Sequence, residues 1–393
     1  MTPPYAAFPL DEHKARLARA RAALAEAGFA GAVAVAPETL YYLAGYDAWV
    51  AVNSPQALIF TTGDDSPTLV LRNVDRPLAR ETCWLDDVRD YHLFLEDAPG
   101  LVADVAREKG LLGGRLAIEM GSAALPHSLG VALIEALAPA ELIDATGLLG
   151  RLRTIKSARE RELIERAAGY AKLGLDAARA ALRPGVSEIG LAAAVENAMR
   201  RSGCDYWAIP TELAGGPRAP GGHATPRERV IEPGDLMHLE FAGVAARYHA
   251  VAIHCLAAGP PDTRTAEFYD LARASLAAGI AGIRPGAPVA EVEEASLDPL
   301  RAAGLERAAM MRFGYGIGIA YPPIWLESLQ IARGIEQRLE PGMVFVLHAC
   351  LELEDEGIGV IQGGTYALDP DGLHELVGGG DVPLEVVPGF EAS

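Results

Sequence analysis

Cysteine is scarce in this chain, and basic residues are outnumbered by acidic ones. The 393 residues include four cysteines that lie far apart and form no CxxC pair: Cys83, Cys204, Cys255 and Cys350. This spacing argues against a disulfide framework and against a zinc ribbon. The formal net charge is −19, which argues against nucleic acid or an anionic membrane surface as a partner.

Long hydrophobic runs are missing as well. No segment of the sequence reaches the length that a membrane span needs, and the first residues, "MTPPYAAFPLDEHKARL", contain no apolar signal-peptide core. We therefore expect a cytoplasmic protein without a membrane partner. The apolar residues that are present make up half of the chain, which is enough for a sizeable core, and the length suggests two domains.

The N-terminal part of the sequence predicts an α/β domain over residues 1–152. A helix with apolar residues at helical spacing ends near Gly28, and "GAVAVA", "ALIFTT", "TLVLR" and "RLAIEM" are typical of short buried strands. The polar connector "GRLRTIKSARERE" follows at 150–162. We place the domain boundary there, which leaves residues 153–393 for the second domain.

The second domain contains an internal repeat. "LRPGVSEIGLAAAVENAMRRSG" begins at Leu182, and "IRPGAPVAEVEEASLDPLRAAG" begins at Ile283. Each is followed by an EPG-containing segment that predicts a strand, "IEPGDLMHLEFAG" or "LEPGMVFVLHACLE". The pattern predicts two pseudo-symmetric halves of an α+β domain whose strands form one sheet.

The repeat also predicts the position of a functional site. Glu240 and His348 each lie seven residues beyond the proline of an EPG sequence. A two-fold relation would place both on one face of the joint sheet near the axis, where ligand clefts are common. The strand period of two then places His238 beside Glu240, and Cys350 beside His348.

Several motifs resemble one known family. "RTIKSARERELIERAA", "RPGVSE", "EPGDLM", "FGYGIGIAYPP" and "LEPGMVF" are similar to the pita-bread catalytic domain of creatinases, prolidases, X-Pro aminopeptidases and methionine aminopeptidases. "ETLYYLAGYDAW" resembles the smaller creatinase-like α/β domain that precedes it in some members. The resemblance implies an α+β pita-bread domain after an N-terminal α/β domain, and a hydrolase.

Most members of that family are metallopeptidases that bind two metal ions through aspartate, histidine and glutamate. The resemblance places the five ligand positions at Glu240, Val251, Tyr315, His348 and Gln362. A dinuclear hydrolytic site needs several carboxylates, and one remains here. The pattern is closer to the metal-independent branch that contains creatinase and ectoine hydrolase, so we expect no metal and no other cofactor.

The resemblance to that branch assigns catalytic roles to His223, Glu240 and Glu327. His223 lies in the loop "PRAPGGHATPRE", and its ordinary pKa suits a group that acts first as a base and then as an acid. Glu240 and Glu327 are expected to hold the cationic end of a substrate. The alternatives are a surface histidine without a role and, for Glu240, a structural ion pair.

Further residues are predicted to bind the substrate: Trp49, His249, Tyr315, Tyr321, His348 and Gln362. Tyr315 and His348 would bind an anionic end or an oxyanion. His249, after a turn predicted at 243–246, has an equal claim to a backbone hydrogen bond. Cys350 is interpreted as a small buried cysteine in preference to a nucleophile paired with His348. Trp49, in "GYDAW", resembles a loop that crosses a dimer, which implies a homodimer.

Three functions remain open on the sequence. The first is metal-independent hydrolysis of a C–N bond in a small cationic or zwitterionic molecule. The second is an X-Pro dipeptidase or aminopeptidase that holds one zinc ion on His223, Glu240 and His348. The third is a non-catalytic protein that binds a small molecule on a degenerate peptidase fold.

Overall fold

The computed structural model describes residues 3–52 and 54–390. The chain folds into two units, Met1–Arg153 and Thr154–Ser393. The division falls one residue from the boundary that the polar connector indicates. Among the described residues, no helix combines the length and the apolar character that crossing a membrane requires.

The N-terminal unit alternates short strands with helices. Its helices are α1 (Leu10–Glu26), α2 (Pro37–Ala44), α3 (Arg76–Thr82), α4 (Ala98–Glu108), α5 (His127–Ala136) and α6 (Thr146–Arg151). Its strands are β1 (Gly31–Ala34), β2 (Ala57–Thr61), β3 (Thr68–Arg72), β4 (Val88–Tyr91), β5 (Arg115–Ile118) and β6 (Glu141–Asp144). They form one sheet in the order β4-β3-β2-β1-β5-β6. The predicted α/β organisation and the predicted end of α1 near Gly28, which has φ 76°, are confirmed.

The C-terminal unit contains the two predicted helix pairs and a larger sheet. The helices are α7 (Ala158–Ala181), α8 (Glu188–Arg201), α9 (Thr263–Ala281) and α10 (Val289–Ala302). The strands are β7 (Glu212–Gly215), β8 (Leu236–Ala245), β9 (Tyr248–Ala258), β10 (Gly314–Tyr321), β11 (Ile324–Ile331), β12 (Val344–Leu353), β13 (Ile358–Asp369), β14 (Gly372–Gly378) and β15 (Glu385–Val387).

The sheet of this unit joins the two halves of the repeat. The main strand order is β11-β10-β12-β13-β9-β8-β7, with β14 on β13 and β15 on β9. The pair α7 and α8 precedes the hairpin β8–β9, and the pair α9 and α10 precedes the hairpin β12–β13. The internal repeat therefore corresponds to two similar helix-and-hairpin halves, and the α+β prediction is confirmed.

Helix α7 is fixed at its start and along its length. Ser157 and Glu160 form a capping box, in which each side chain accepts a hydrogen bond from the other residue's backbone N–H. The second oxygen of Glu160 accepts a hydrogen bond of 2.8 Å from the hydroxyl of Tyr248 on β9. Glu160 thus caps the start of α7 and connects the helix to the sheet by a hydrogen bond.

Gly243 lies inside β8 and not in the turn predicted at 243–246. A Cβ atom at Gly243 would lie 2.0 Å from the backbone oxygen of Ala167 on α7, so the helix packs directly on the strand here. The chain turns instead at Ala246 and Arg247, which have φ values of 47° and 66°. Since strand residues alternate between faces, Glu240 lies on the face of β8 opposite α7.

Candidate active site

Glu240 and His348 lie in a single row across four strands. Glu240 on β8 pairs with Ile253 on β9, and Ile253 pairs with Gly363 on β13. Gly363 in turn pairs with His348 on β12. Directly paired residues share a face of the sheet, so the placement of Glu240 and His348 on one face is confirmed. We call this face the inner face.

The row continues to a second carboxyl group that the sequence reasoning missed. Glu212 on β7 pairs directly with Glu240, and its side chain is buried with 6% of its surface exposed. Burial raises the pKa of both carboxyl groups, and the charge of Glu240 raises that of Glu212 further. The strand that carries Glu212 is four residues long and lies outside the repeat, so only the pairing with β8 reveals it.

Tyr315 connects Glu240 to the indole of Trp325. Tyr315 pairs with Val346, two residues before His348, and its ring centroid lies 5.8 Å from that of His348. Trp325 Nε1 donates to the Tyr315 hydroxyl at 3.0 Å, and the hydroxyl donates to Glu240 Oε1 at 3.2 Å. Because an indole N–H can only donate, the proton of the tyrosine hydroxyl is directed at the carboxylate. This hydrogen bond lowers the pKa of Glu240 and partly offsets burial.

Replacing Tyr315 by phenylalanine should move the acid limb of the activity profile to higher pH. The hydrogen bond from Tyr315 favours the carboxylate of Glu240, so its loss raises the pKa of Glu240, with a shift on the order of one pH unit. The measurement is kcat/KM against pH, with Tyr5→Phe, whose ring is 73% exposed, as the matched control. An unchanged acid limb, or one displaced to lower pH, contradicts the role of Tyr315.

The loop that carries His223 is anchored beside β12. The N–H of Gly222 donates to Glu352 Oε1 at 3.1 Å. A Cβ atom at Gly222 would lie 3.4 Å from the Sγ of Cys350, so the glycine backbone packs against this strand. His223 itself is exposed and is close enough for its charge to lower the pKa of His348. The structure therefore brings His223 to the edge of the row that contains His348 and Glu240.

His348 is a neutral, buried imidazole. Burial lowers its pKa to about 4, and the charges of Arg312 and His223 act in the same direction. Within residues 3–52 and 54–390, no group forms a hydrogen bond with its Nδ1 atom. A neutral imidazole of this kind can still donate to or accept from a ligand.

Cys350 shows the properties of a structural thiol. Its side chain is buried, and burial together with the charges of Glu352, Glu240 and Glu212 raises the pKa of the thiol. A reactive cysteine needs the opposite shift. The structure supports the interpretation of Cys350 as a small buried residue over a nucleophilic pair with His348.

The predicted substrate contact of Gln362 is wrong. Gln362 alternates with Gly363 along β13 and therefore faces away from the inner face. Its Nε2 donates to the backbone oxygen of Gly379, and its Oε1 accepts from the N–H of Cys255 at 3.2 Å. Both polar atoms of the Gln362 side chain are thus hydrogen-bonded to the backbone. Gly363 lies at the inward position that was assigned to Gln362.

The predicted cation-binding role of Glu327 is also wrong. Lys156 Nζ lies 2.5 Å from Glu327 Oε2, and the two side chains have 0% and 2% of their surfaces exposed. The lysine already compensates the charge of this carboxylate, which is sealed from solvent. Glu327 is half of a structural ion pair that joins β11 to the segment before α7.

His249 has the backbone role that the sequence left open. Its Nε2 accepts from the N–H of Ala208 at 3.0 Å, and its Nδ1 lies 2.8 Å from the backbone oxygen of Arg247. The ring lies against Trp325, with centroids 6.4 Å apart. Both ring nitrogens form hydrogen bonds with the backbone, so His249 has none left for the predicted substrate contact. Its ring instead supports the side chain of Trp325. His254 faces the other way and contacts Glu385 at 3.3 Å.

Two further residues, Tyr321 and Trp49, are predicted to bind the substrate. Tyr321 is buried at the end of β10, with its ring centroid 6.0 Å from the guanidinium of Arg247. Trp49 follows α2 in the N-terminal unit, and its side chain is 62% exposed. The assignments of Tyr321 and Trp49 stay predictions, as does the homodimer.

The residues of the inner face do not fit a two-metal site. Val251 offers no side-chain ligand, the hydroxyl of Tyr315 is committed to Glu240, and Gln362 lies on the other face. Within the described part of the chain, the ligand atoms that could share one ion belong to a different place, the β13–β14 hairpin. They are those of Asp369, Asp371 and His374. His223, Glu240 and His348 do not form such a group.

Comparison with known proteins places the chain in a family. The model of metallopeptidase family M24 matches residues 162–372, and that of the creatinase/prolidase N-terminal domain matches residues 16–155. The chain belongs to metallopeptidase family M24. The predicted family is confirmed, and the hydrolases among its relatives confirm the broader class of activity.

Individual members of the M24 family resemble this chain over nearly its full length. Ectoine hydrolase of Halomonas elongata is 28% identical over 90% of this chain and 93% of its own. A probable dipeptidase of Mycobacterium tuberculosis is 27% identical over 86% and 87%. The structure of an Xaa-Pro dipeptidase from Bacillus anthracis has a TM-score of 0.82 at 23% identity, covering 95% of this chain and 99% of that one. A prolidase from Thermococcus sibiricus has a TM-score of 0.86 at 21% identity, with coverages of 95% and 99%. These two structures confirm the pita-bread fold.

Proposed function

We propose that this M24 protein hydrolyses a C–N bond in a small cationic or zwitterionic molecule without a metal ion. The observation that carries the proposal is the set of groups on the inner face. Where a dinuclear peptidase needs two carboxylates and a histidine as metal ligands, this chain has Val251, His348 and a tyrosine whose hydroxyl donates to Glu240. One carboxylate remains in the set, which suits recognition of an organic substrate better than coordination of two divalent cations.

Glu240 is the proposed contact for the cationic end of the substrate. Its carboxyl group is partly exposed on the inner face, and the hydrogen bond from Tyr315 favours its charged form. An amidinium or guanidinium presents parallel N–H donors that match a carboxylate. The neutral imidazole of His348, on the same row, is the proposed contact for an anionic end or for the oxygen of a tetrahedral intermediate.

His223 is the proposed acid–base group. It would take a proton from water as the oxygen attacks the C–N carbon, and then give that proton to the departing nitrogen. The position of its loop beside Cys350 and His348 supports this role. The similarity to ectoine hydrolase supports the reaction class, because that enzyme's name denotes hydrolysis of a small molecule.

A substrate screen tests this proposal. The purified protein, treated with a metal-chelating resin, is incubated with cyclic amidines, guanidino acids, lactams and X-Pro dipeptides, and release of the product amine is measured. We expect turnover of an amidine or a guanidine, and a loss of about a hundredfold or more in kcat/KM in Glu240→Gln. Cleavage confined to X-Pro dipeptides contradicts the proposal.

A further inference from the structure

Glu212 is a largely buried residue without a compensating partner. Only 6% of its surface is exposed, and within residues 3–52 and 54–390 the structure shows no hydrogen bond and no ion pair to its side chain. An unpaired buried carboxylate is costly. Elsewhere the fold supplies a cation to such groups, as Lys156 does for Glu327 and Arg218 does for Glu188.

Glu212 faces Glu240 and lies among uncharged groups. The two glutamates are directly paired across β7 and β8, and neither forms an ion pair with a lysine or arginine of the described residues. From β10 and β12 they face Tyr315 and Cys350, whose pKa values their charges raise. These contacts leave two carboxyl groups side by side on the inner face with no internal cation.

The surrounding histidines do not provide the missing charge. His238 lies two residues before Glu240 on the same strand face, and burial lowers its pKa to about 4. Neither of its ring nitrogens has a hydrogen-bond partner among the described residues. His348 is neutral for the same reason, and His223 is exposed at the edge of the site. Among the described residues, no cation is therefore paired with either carboxyl group, and a ligand could supply one.

We propose that Glu212 and Glu240 together form a receptor for a planar cation that carries N–H donors on two edges, an amidinium or a guanidinium. The inference deepens the proposed function, because it rests on the contact between Glu240 and the cationic end of the substrate. Each carboxylate would accept from one edge of the cation. The pair thereby selects against a quaternary ammonium, which has no N–H, and against a neutral amide, which has no charge.

Titration calorimetry with acetamidinium tests this receptor in the full-length protein. The heat is measured with acetamidinium and, as comparison ligands, with acetamide and tetramethylammonium. We expect acetamidinium alone to bind. Absence of acetamidinium binding, or equal binding of acetamide or tetramethylammonium, overturns the inference.

Glu212→Gln isolates the contribution of the second carboxyl group. The variant keeps the side-chain shape but carries no charge, so acetamidinium should bind about tenfold or more weakly. Glu354→Gln, at an exposed glutamate, is the matched control. Unchanged affinity in a folded Glu212→Gln protein contradicts the inference. If that variant does not fold, the comparison of acetamidinium with tetramethylammonium in the wild-type protein decides.

These outcomes are separable from those of the proposed function. The calorimetric test measures binding and needs no turnover. Selective acetamidinium binding in a protein that cleaves only X-Pro dipeptides would support the receptor and reject the proposed reaction. Turnover of an amidine in a protein whose affinity for acetamidinium is unchanged by Glu212→Gln would support the proposed reaction and reject the receptor.

Discussion

Replacing His223 by alanine should lower kcat by about a thousandfold or more, because general acid–base groups contribute roughly 10²–10⁴ each and His223 is assigned both steps. The fold should persist, since the side chain is exposed. Acetamidinium binding should also persist, because the cation contacts Glu212 and Glu240. The measurement is the steady-state rate on the amidine or guanidine substrate, with circular dichroism as the check on folding.

His127→Ala is the matched control for His223→Ala. His127 is an exposed histidine at the start of α5, and its loss should leave the rate unchanged. A kcat in His223→Ala within a few-fold of the wild-type value sinks the assignment of the acid–base group. Loss of turnover together with loss of acetamidinium binding would instead point to a role in shaping the site.

Replacing Lys156 by methionine should lower the free energy of unfolding by about 3–5 kcal/mol, because the substitution leaves a buried carboxylate without its cation. Lys156 and Glu327 lie 2.5 Å apart, and both side chains are sealed from solvent. The free energy is measured by urea unfolding.

A double variant separates the loss of charge compensation from the loss of packing. Adding Glu327→Leu to Lys156→Met removes both charges, and much of the lost stability should return because an apolar pair can replace a buried ion pair. Lys172→Met, at an exposed position of α7, should have little effect. If Lys156→Met costs no more than Lys172→Met, the ion pair is not a structural element.

The internal repeat predicted that Glu240 and His348 lie close together, because equivalent strands of the two halves carry them. Glu240 and His348 occupy the same place after their EPG turns, and the pairing through Ile253 and Gly363 joins them in one row. For Gln362 the predicted inward position was off by one residue, because Gly363 lies in the row. The inward face of a strand depends on its register with its neighbours, and a shift of one position reverses every side chain. Spacing along the chain does not contain that register.

Contacts between distant parts of the chain explain the other failures. The partner of Glu327 is Lys156, 171 residues away, so no local pattern shows that the carboxylate is already neutralised. Glu212 is brought to Glu240 by a four-residue strand outside the repeat. The hydrogen bonds of His249 depend on Ala208, 41 residues earlier. In each case the sequence shows the residue but not the distant residue that it contacts.

The proposed reaction differs from that of the metal-binding peptidases of the family. The M24 fold is shared with peptidases that bind metals, yet a fold does not determine the reaction of its site. Glu240, Tyr315 and His348 hold positions that the family resemblance assigns to metal ligands, and two of the three are not carboxylates. The reaction has to be inferred from these groups and from Glu212 beside them.

Hydrolysis without a metal ion is tested most directly by measuring the metal content of the purified protein together with its turnover. Transition metals are quantified by elemental analysis, and the rate is recorded before and after removal of metal by a chelator. The proposed function predicts metal well below one equivalent per chain and an unchanged rate after chelation. A stoichiometric metal whose removal abolishes turnover, and whose return restores it, would contradict the proposal.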